Sequence, residues 1–457
     1  MTDINISIKE KDNGIIISLD NRKFSLEYPE TVWSNLRDDI KSFFLDNYLF
    51  LKSVHLPIMF SADTINLNTS SPLLKTFFSS MQIFDIPSLS DLYKVKSSDF
   101  FKKFFNTAFR FKDYNIKTIE KEFPINDREA VLSLSMGKDS LLSFAVSREL
   151  GIETHPVMIQ EKGAPIENSH KRQMIKKFNQ EFNVNVERVY NETMILHSFK
   201  YFKIPSKENY LLSHLMTEYS FILIPYLYKY NARYLFFGNE QNCDMTYKSD
   251  EGYKCYPVFD QSSGWMTELT NMLSIALKNK INVISLLEPL NDLAIVGILH
   301  NRYPEIAKYQ YSCFPDETSI NAENNRWCSH CSKCARIFII FKALGIDTKR
   351  LGFKEDMMRK EYMPYFSVFG VTKGGSPFDS SGAGRDEQLF AFYLANQNGV
   401  KGELIDEFKK RFLDETKERE DEFHKKFSKT YNPVNVPSEI KDQLLSIYNE
   451  EISKLNI

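Results

Sequence analysis

Residues 133–140 read Ser-Leu-Ser-Met-Gly-Lys-Asp-Ser, and they lie between a short apolar run and a helical pattern. This order predicts a strand, a tight loop and the start of a helix. Backbone N–H groups at such a junction point into the loop, and the helix dipole there favours an anion. Gly137 lets the backbone approach a ligand closely, because it has no Cβ. The stretch therefore predicts a loop that binds phosphate groups.

The side chains of this loop suit a polyphosphate. Ser135 and Ser140 offer hydroxyl donors, and Lys138 offers a cation. Asp139 offers a carboxylate of the kind that holds magnesium. The spacing differs from the Walker A pattern, Gly-x-x-x-x-Gly-Lys-[Ser/Thr]. An ordinary strand–turn–helix with an exposed Lys-Asp pair is the alternative interpretation.

The loop resembles the Ser-Gly-Gly-x-Asp-Ser signature of the PP-loop ATP pyrophosphatases, with Met136 at the position of the first glycine. The resemblance implies that ATP is split into AMP and pyrophosphate, with the pyrophosphate kept in the loop. It also implies an adenine nucleotide alpha-hydrolase-like fold that uses ATP and Mg²⁺. The nucleotide-binding residues expected from it are Ser135, Met136, Gly137, Lys138, Asp139, Ser140, Gly238 and Asn239.

Length and composition describe an ordinary globular protein. The chain has 457 residues, which favours two or three domains, and 42% of them are hydrophobic and 26% charged. The formal net charge of −2 provides no overall basic field, so we expect neither a nucleic-acid nor a membrane partner. No apolar run approaches the length of a membrane span, and the N-terminus lacks the order of a signal peptide. We therefore expect a cytoplasmic location.

Three regions follow from the patterning. Residues 1–125 form an N-terminal α+β region, with a hairpin signal at Asp12-Asn13-Gly14. Residues 126–345 alternate strand-like and helical patterns, which predicts a parallel sheet with helices on both faces, an α/β fold. Residues 346–457 contain a glycine-rich loop at 374–384 and a helical C-terminal region. The strands predicted in the central region are 130–134, 154–159, 184–189 and 234–237, and the helices are 141–150, 170–182 and 213–230.

Cysteines provide a second strong signal. Cys328, Cys331 and Cys334 recur at intervals of three, and Cys313 lies fifteen residues upstream of the first. Four thiolates close a tetrahedral zinc site and leave no open position, so the predicted metal is structural. An iron–sulfur cluster, isolated buried thiols, or His330 as the fourth ligand are the alternatives.

Combined with the phosphate loop, the cysteine module resembles that of the 7-cyano-7-deazaguanine synthases. A resemblance covering most of the chain is to the MurL family, the ATP-dependent epimerases of the terminal glutamate of UDP-N-acetylmuramoyl-L-alanyl-L-glutamate. Four further segments carry it: residues 236–240, 256–263, 287–293 and 326–334. A fifth segment, residues 376–382, is similar to the family's Lys-Pro-Phe-Glu-Cys-Val-Gly stretch with several substitutions.

The MurL resemblance implies an enzyme that adenylates a substrate carboxylate and then inverts its α-carbon. The expected partner is a small-molecule carboxylate, possibly UDP-linked. Lys138, Asp139 and Glu240 are the predicted catalytic residues. Glu240, Asp260 and His170 are candidate bases, and the predicted substrate contacts are Asp244, Asp260, Gln261, Ser262 and Ser263. Amide or nitrile formation on a deazaguanine, tRNA modification, and a nucleotide-binding zinc protein without activity are the alternatives.

The Pro-x-x-Asp-Leu stretch at residues 289–293 predicts the start of a helix near the site. Pro289 suits the first turn, and Asp292 complements the helix dipole. We interpret both residues as structural.

Overall fold

The structure, a computed structural model, describes residues 3–206, 209–318, 325–370, 381–455 and 457. The strands in the described residues are β1 Asp3–Lys11, β2 Gly14–Leu19, β3 Arg22–Glu27, β4 Thr64–Ser70, β5 Ala108–Asp113, β6 Asn126–Ser133, β7 Glu153–Glu161, β8 Glu187–Asn191, β9 Ala232–Phe237, β10 Tyr247–Lys248, β11 Lys254–Cys255 and β12 Asn282–Ser285.

The helices of the N-terminal half are α1 Glu30–Trp33, α2 Asp38–Leu51, α3 Leu56–Phe60, α4 Lys75–Tyr93, α5 Ser97–Phe105, α6 Lys138–Glu149, α7 Pro165–Phe182, α8 Phe199–Phe202, α9 Leu215–Ile222 and α10 Ile224–Tyr230. Those that follow are α11 Ser263–Ala276, α12 Asp292–Arg302, α13 Pro304–Ala307, α14 Pro315–Thr318, α15 Ser332–Ala343, α16 Gly382–Gln397, α17 Glu403–Glu418, α18 Glu420–Phe427 and α19 Ser438–Ile452.

One large sheet organises the described chain, in the order β12-β9-β6-β7-β8-β3-β2-β1-β4-β5. The five strands from β12 to β8 run parallel, as the strand–helix alternation of the sequence predicts. β1, β2 and β3 form an antiparallel meander, and the predicted turn at residues 12–14 joins its first two strands. The α/β class with helices on both faces is therefore confirmed.

The N-terminal strands continue the central sheet. β3 pairs antiparallel with β8 through Leu26 with Asn191 and Glu27 with Tyr190. Their hydrogen-bonded ladder is short, but it joins both regions into one sheet. That residues 1–125 form a separate domain stays a prediction.

The alternation of side chains along the central strands builds a core on each face of the sheet. Leu132 of β6 and Phe236 of β9 pack with α6, α7 and the C-terminal helices, whereas their neighbours Val131 and Leu235 pack with the first five helices and with α9, α10 and α11. All four side chains are fully buried. The helical C-terminal region, together with α6 and α7, therefore covers the face of the sheet opposite to the helices of residues 1–125.

Local chemistry explains most differences from the predicted helices. The predicted helix 213–230 is two helices, α9 and α10, and the second has Pro225 in its first turn. Within the predicted helical C-terminal region, the charged segment 403–427 divides at Arg419 into α17 and α18. β12 was not predicted, because a strand of four residues is too short to show a hydrophobic period. The predicted glycine-rich loop lies mostly outside the described residues, and so does most of the 376–382 segment.

No helix in the described part of the chain is both long and apolar enough to cross a membrane.

Candidate functional site

The parallel strands place three loops at one edge of the sheet. β6, β9 and β12 are neighbours, and the loops that follow them begin after Ser133, Phe237 and Ser285. β6 lies between β9 and β7, so the strand order reverses at this strand. Ligands of open α/β sheets bind outside the carboxyl ends of the strands at such a switch point. The sheet therefore points to this edge as the binding site.

The loop after β6 leads directly into α6, as predicted. Gly137 is the N-cap residue, and no side chain caps the helix. The first N–H groups of a helix have no partner within it, so they remain available to an anion. Ser140 Oγ accepts a hydrogen bond from the Ser135 amide at 3.2 Å and lies 3.2 Å from Ser135 Oγ. These hydroxyls hold the loop closed on itself.

Met136 adopts the left-handed conformation that its glycine counterpart in the PP-loop signature allows freely. Its φ is 62°, and its side chain is fully buried in the core. Its carbonyl accepts a hydrogen bond from the Tyr311 amide at 2.7 Å. The left-handed region costs a residue with a Cβ roughly 1–2 kcal/mol, so burial of the methionine side chain offsets local strain.

Gly238 allows the loop after β9 to approach the start of α6. A Cβ at Gly238 would lie 2.5 Å from the Cβ of Asp139 and 3.4 Å from its carbonyl carbon. Carbon atoms normally pack about 3.5–4.0 Å apart. Only glycine fits here without moving one of the two loops.

Lys138 lies among three carboxylates that converge from three loops. Its ammonium contacts Asp139, Asp292 and Glu240, and the distance to Glu240 Oε2 is 3.0 Å. One oxygen from each carboxylate lies within 4.8 Å of the others. The predicted catalytic residues Lys138, Asp139 and Glu240 therefore come together, and Asp292 joins them.

Burial and charge set the protonation of this cluster. Burial disfavours the charged ammonium, but attraction by Asp139, Asp292 and Glu240 outweighs it and raises the pKa of Lys138 well above its usual value. Burial and repulsion from Asp292 raise the pKa of Glu240 well above its usual value. Burial opposes ionisation of Asp292 as well, yet Lys138 and Arg336 hold its pKa below the usual range. The surroundings therefore favour the ionised form of Asp292 and the protonated form of Glu240.

Asp292 contacts the predicted catalytic lysine, which its interpretation as a structural residue did not anticipate. α12 begins at Asp292 itself, so Pro289 precedes the helix, and Asn291 is the N-cap. The Asp292 side chain is fully buried and contacts both Lys138 and Arg336, the latter at 3.3 Å. The available signal was its position just after an apolar run, since β12 ends at the same sheet edge.

Sequence reasoning also missed Glu387, which ties α16 to the site. Its carboxylate accepts hydrogen bonds from the Leu293 amide at 3.0 Å and from Asn242 Nδ2 at 2.8 Å. Burial, and then repulsion from Asp292, raise the pKa of Glu387 to about 8. No local pattern marks this residue, because it is one of four consecutive polar residues, 385–388, near the start of α16.

A cleft of about 510 Å³ opens over the cluster. Its cationic lining residues beyond Lys138 are Lys171, Lys333 and Arg336. A second cavity of about 340 Å³ shares part of its wall. The residues common to both are Glu167, Leu212, Leu215, Tyr219 and Phe314. Together the two cavities are large, and both cationic and anionic side chains line them.

The predicted nucleotide-binding residues line the cleft except Met136, whose side chain points into the core. Asn239 Nδ2 donates to the Gln261 carbonyl at 3.1 Å and does not cap a helix. Asp260 and Gln261 line the cleft, whereas Asp244 and Ser263 line a small pocket beside it.

Two candidate bases differ in their surroundings. Burial raises the pKa of Asp260 to about 7, and its Oδ2 accepts a hydrogen bond from the Met216 amide at 2.6 Å. His170 lies on α7, with its ring 5.6 Å from that of Tyr311. Ser262, the other predicted contact, caps α11 by accepting from the Trp265 amide. Asp260 therefore has the protonation properties expected of a base near neutral pH.

The four predicted metal ligands converge. One sulfur each from Cys313, Cys328, Cys331 and Cys334 lies within 4.8 Å of the others, and all four residues are buried. Cys334 Sγ lies 3.6 Å from Cys313 Sγ and 3.9 Å from Cys328 Sγ. His330 Nδ1 instead lies 2.6 Å from the Cys328 carbonyl. This donor set fits a metal such as zinc.

The cysteine cluster lies directly behind the phosphate loop. Tyr311 donates its amide to the Met136 carbonyl, and a Cβ at Gly137 would meet Ser312 Oγ at 3.4 Å. Cys313 itself lines the cleft. Holding Cys313 in place therefore also holds residues 311–312 against the loop.

Sequence comparison agrees with this part of the molecule. Residues 311–423 match the family model of the MurL C-terminal domain, about a quarter of the chain. The matched segment begins beside the phosphate loop, includes all four clustered cysteines and Glu387, and ends within α18. No curated protein matches the chain. The match supports the resemblance to the MurL epimerases that the sequence motifs indicate.

Proposed function

We propose that this chain is an ATP-dependent epimerase that adenylates a carboxylate, with a UDP-linked muramoyl-L-alanyl-L-glutamate or a close analogue as substrate. The observation that carries the proposal is the uncapped start of α6 at the strand switch point, beside a segment that matches the MurL C-terminal domain. The first feature supports ATP cleavage, and the second supports epimerisation.

The loop suits a departing pyrophosphate. The first N–H groups of α6 and the Ser135 and Ser140 hydroxyls would bind its oxygens. Lys333 and Arg336 add positive charge on the same cleft wall. Fixed donors stabilise charge on a leaving group most where water is excluded. Cleavage between the α- and β-phosphates of ATP is therefore the reaction this loop favours.

Magnesium fits the carboxylates that surround Lys138. Asp139, Glu240 and Asp292 are oxygen donors of the type that Mg²⁺ prefers. The bound ion would supply charge neutralisation of the phosphates. The Lys138 ammonium now lies among these oxygens, so we expect ion and ammonium to compete for them. Zinc at the four cysteines would be structural.

Adenylation explains how an unactivated glutamate can lose its α-proton. A free carboxylate resists deprotonation at the neighbouring carbon, because a second negative charge would develop beside the first. In the proposed reaction a carboxylate oxygen attacks the α-phosphorus, pyrophosphate leaves, and the acyl-adenylate carries no charge at the acyl group. A base then takes the α-proton, and the proton returns to the opposite face. Water finally releases AMP and the inverted carboxylate.

Asp260 is the base that we favour. It lines the cleft, and its pKa of about 7 lets it accept the α-proton near neutral pH. Glu240 is less suited, because it lies beside Lys138 and Asp292, where metal and phosphate binding are expected. The adjoining cavity would accommodate the remainder of a large substrate.

The decisive experiment incubates the full chain with ATP, Mg²⁺ and UDP-N-acetylmuramoyl-L-alanyl-L-glutamate in heavy water. We expect substrate-dependent release of AMP and pyrophosphate, and deuterium at the glutamate α-carbon. Asp260→Asn should retain pyrophosphate release and lose deuterium incorporation, whereas Lys138→Met should lose both. His424→Gln, at a half-exposed position of α18 that does not line the cleft, is the matched control.

Two outcomes would contradict the proposal in different ways. Pyrophosphate release without deuterium exchange would contradict epimerisation and retain adenylation. Turnover of a carboxy-deazaguanine that requires ammonia, without activity on the muramoyl peptide, would favour the nitrile-forming alternative.

A further inference from the structure

A second cluster of metal-ligand side chains lies in the opposite core, away from the cysteines. It consists of His55, His197, His214 and Glu218, each with one ligand atom within 4.8 Å of the others. All four residues are completely or almost completely buried. Three segments bring them together: the corner between α2 and α3, the 3₁₀ turn at Thr193–His197, and the start of α9.

Hydrogen bonds fix which ring nitrogen of two histidines is free. His55 Nε2 lies 3.2 Å from the Leu196 carbonyl, which can only accept, so this nitrogen carries the proton. His197 Nε2 lies 2.5 Å from Glu218 Oε1 and donates to that carboxylate. His55 Nδ1 and His197 Nδ1 are consequently lone pairs with no hydrogen-bond partner in the described structure, and His214 Nε2 faces Glu218 Oε1 at 3.4 Å.

This pattern is characteristic of metal-binding histidines. A ligating histidine usually donates its second ring N–H to a carbonyl or another acceptor, which fixes the tautomer. An unsatisfied buried polar atom costs about 1–3 kcal/mol, and the cluster holds two such nitrogens on the neighbouring rings of His55 and His197.

We propose that His55, His197, His214 and Glu218 bind a divalent transition-metal ion, with zinc as the best fit to three imidazoles and one carboxylate. Four protein donors would fill a tetrahedron, so the ion would be structural. On binding, the four ligand atoms would move to about 3.4 Å from one another, because metal–ligand distances in such sites are about 2.0–2.2 Å. The stacked rings of His55 and His197, 3.9 Å apart, would tilt so that both lone pairs converge.

The ion would stabilise the rear of the cleft wall. α9 carries His214 as its N-cap and Glu218 within it, and its residues Leu215 and Tyr219 line the cleft. A metal would therefore join this wall to the corner between α2 and α3. The inference does not depend on the proposed epimerase activity.

Lys52 influences how tightly the histidine cluster should bind zinc. Its ammonium donates to Glu218 Oε2 at 2.7 Å, and both side chains are fully buried. Repulsion between this cation and a bound dication weakens binding in a buried site. Lys52→Met should consequently raise the zinc affinity by about tenfold or more.

The test measures zinc bound to the full chain after chelator treatment and reloading. We expect His214→Gln to contain one equivalent less per chain than wild type, and His424→Gln to contain the same amount as wild type. Zinc should raise the unfolding temperature of His424→Gln by more than that of His214→Gln. Cys331→Ser should instead lose the zinc equivalent bound by the cysteine cluster, so the two variants distinguish the two sites.

Cobalt loading of Cys331→Ser, in which the cysteine site is disrupted, provides a spectroscopic readout of the histidine cluster. The histidine cluster should add d–d absorption without the thiolate charge-transfer bands that mark a cysteine site. Absence of that absorption, equal zinc in His214→Gln and His424→Gln, or no gain in affinity for Lys52→Met would each overturn the inference.

Discussion

Gly238→Ala tests the close approach on which the candidate site depends. The added Cβ would lie 2.5 Å from the Asp139 Cβ, about 1 Å short of normal carbon contact. The two loops must therefore separate by roughly that amount, which moves the start of α6 away from the loop after β9. Overpacking of this kind costs about 1–3 kcal/mol of stability. A displacement of about 1 Å in a catalytic site lowers the rate by about 10²-fold.

The assay for Gly238→Ala combines three measurements: urea unfolding, calorimetric binding of inorganic pyrophosphate, and pyrophosphate release from ATP with the muramoyl dipeptide. Gly264→Ala is the matched control, because Gly264 lies in α11 with no atom within 4 Å of an added Cβ. The control should gain about 0.4–1 kcal/mol of stability and keep full activity. Wild-type stability of Gly238→Ala would refute the close approach. Lowered stability with wild-type pyrophosphate affinity and turnover would refute its functional importance.

Four further predictions follow from the same cleft. Lys138→Met should lose about 3–5 kcal/mol of stability at neutral pH, because it leaves buried carboxylates without their cation; without that cation, burial raises the carboxyl pKa values of the folded variant, so the loss should be larger at pH 8 than at pH 6 in urea titrations. Glu387 has a pKa of about 8 when folded against an ordinary value of 4.5, so its contribution to stability falls by about 1.4 kcal/mol per pH unit between those values. Glu387→Gln should therefore gain stability relative to wild type from pH 5 to pH 8, and parallel curves would contradict this. Met136→Gly should lose about 1–3 kcal/mol in urea, since lost burial of about 2–5 kcal/mol exceeds the relief of roughly 1–2 kcal/mol in backbone strain, while pyrophosphate release stays near wild type. Removal of zinc by chelation, or Cys331→Ser, should lower both the unfolding temperature and the affinity for pyrophosphate. Unchanged pyrophosphate affinity of the chelated protein would show that the cysteine cluster does not support the loop.

Several features of the fold were predictable because their signals are local. The strand, loop and helix at residues 126–149 follow from hydrophobic period and small residues within a short window. The convergence of the four cysteines follows from spacing, because three of them lie within one turn-and-helix segment. The hairpin at residues 12–14 is similarly a short-range signal.

The partners of Lys138 illustrate what needed the tertiary structure. Asp139 is its neighbour in sequence, and Glu240 follows a strand that pattern alone predicts. Asp292 follows a four-residue strand without a readable period, so its place at the same edge depended on the strand order. Glu387 reaches the site from α16, on a helix that the sequence predicts only as part of the C-terminal region.

The amino-acid sequence by itself determined the alternating α/β core, the strand–loop–helix at residues 126–149 and the cysteine cluster. These depend on interactions between residues close together in the chain, where period and spacing constrain geometry directly. Tertiary structure alone decided that one sheet runs from β12 to β5, that Asp292 and Glu387 surround the loop, and that three distant histidines meet at Glu218. Such contacts arise from packing of segments far apart in the chain, and no local pattern specifies which segments become neighbours.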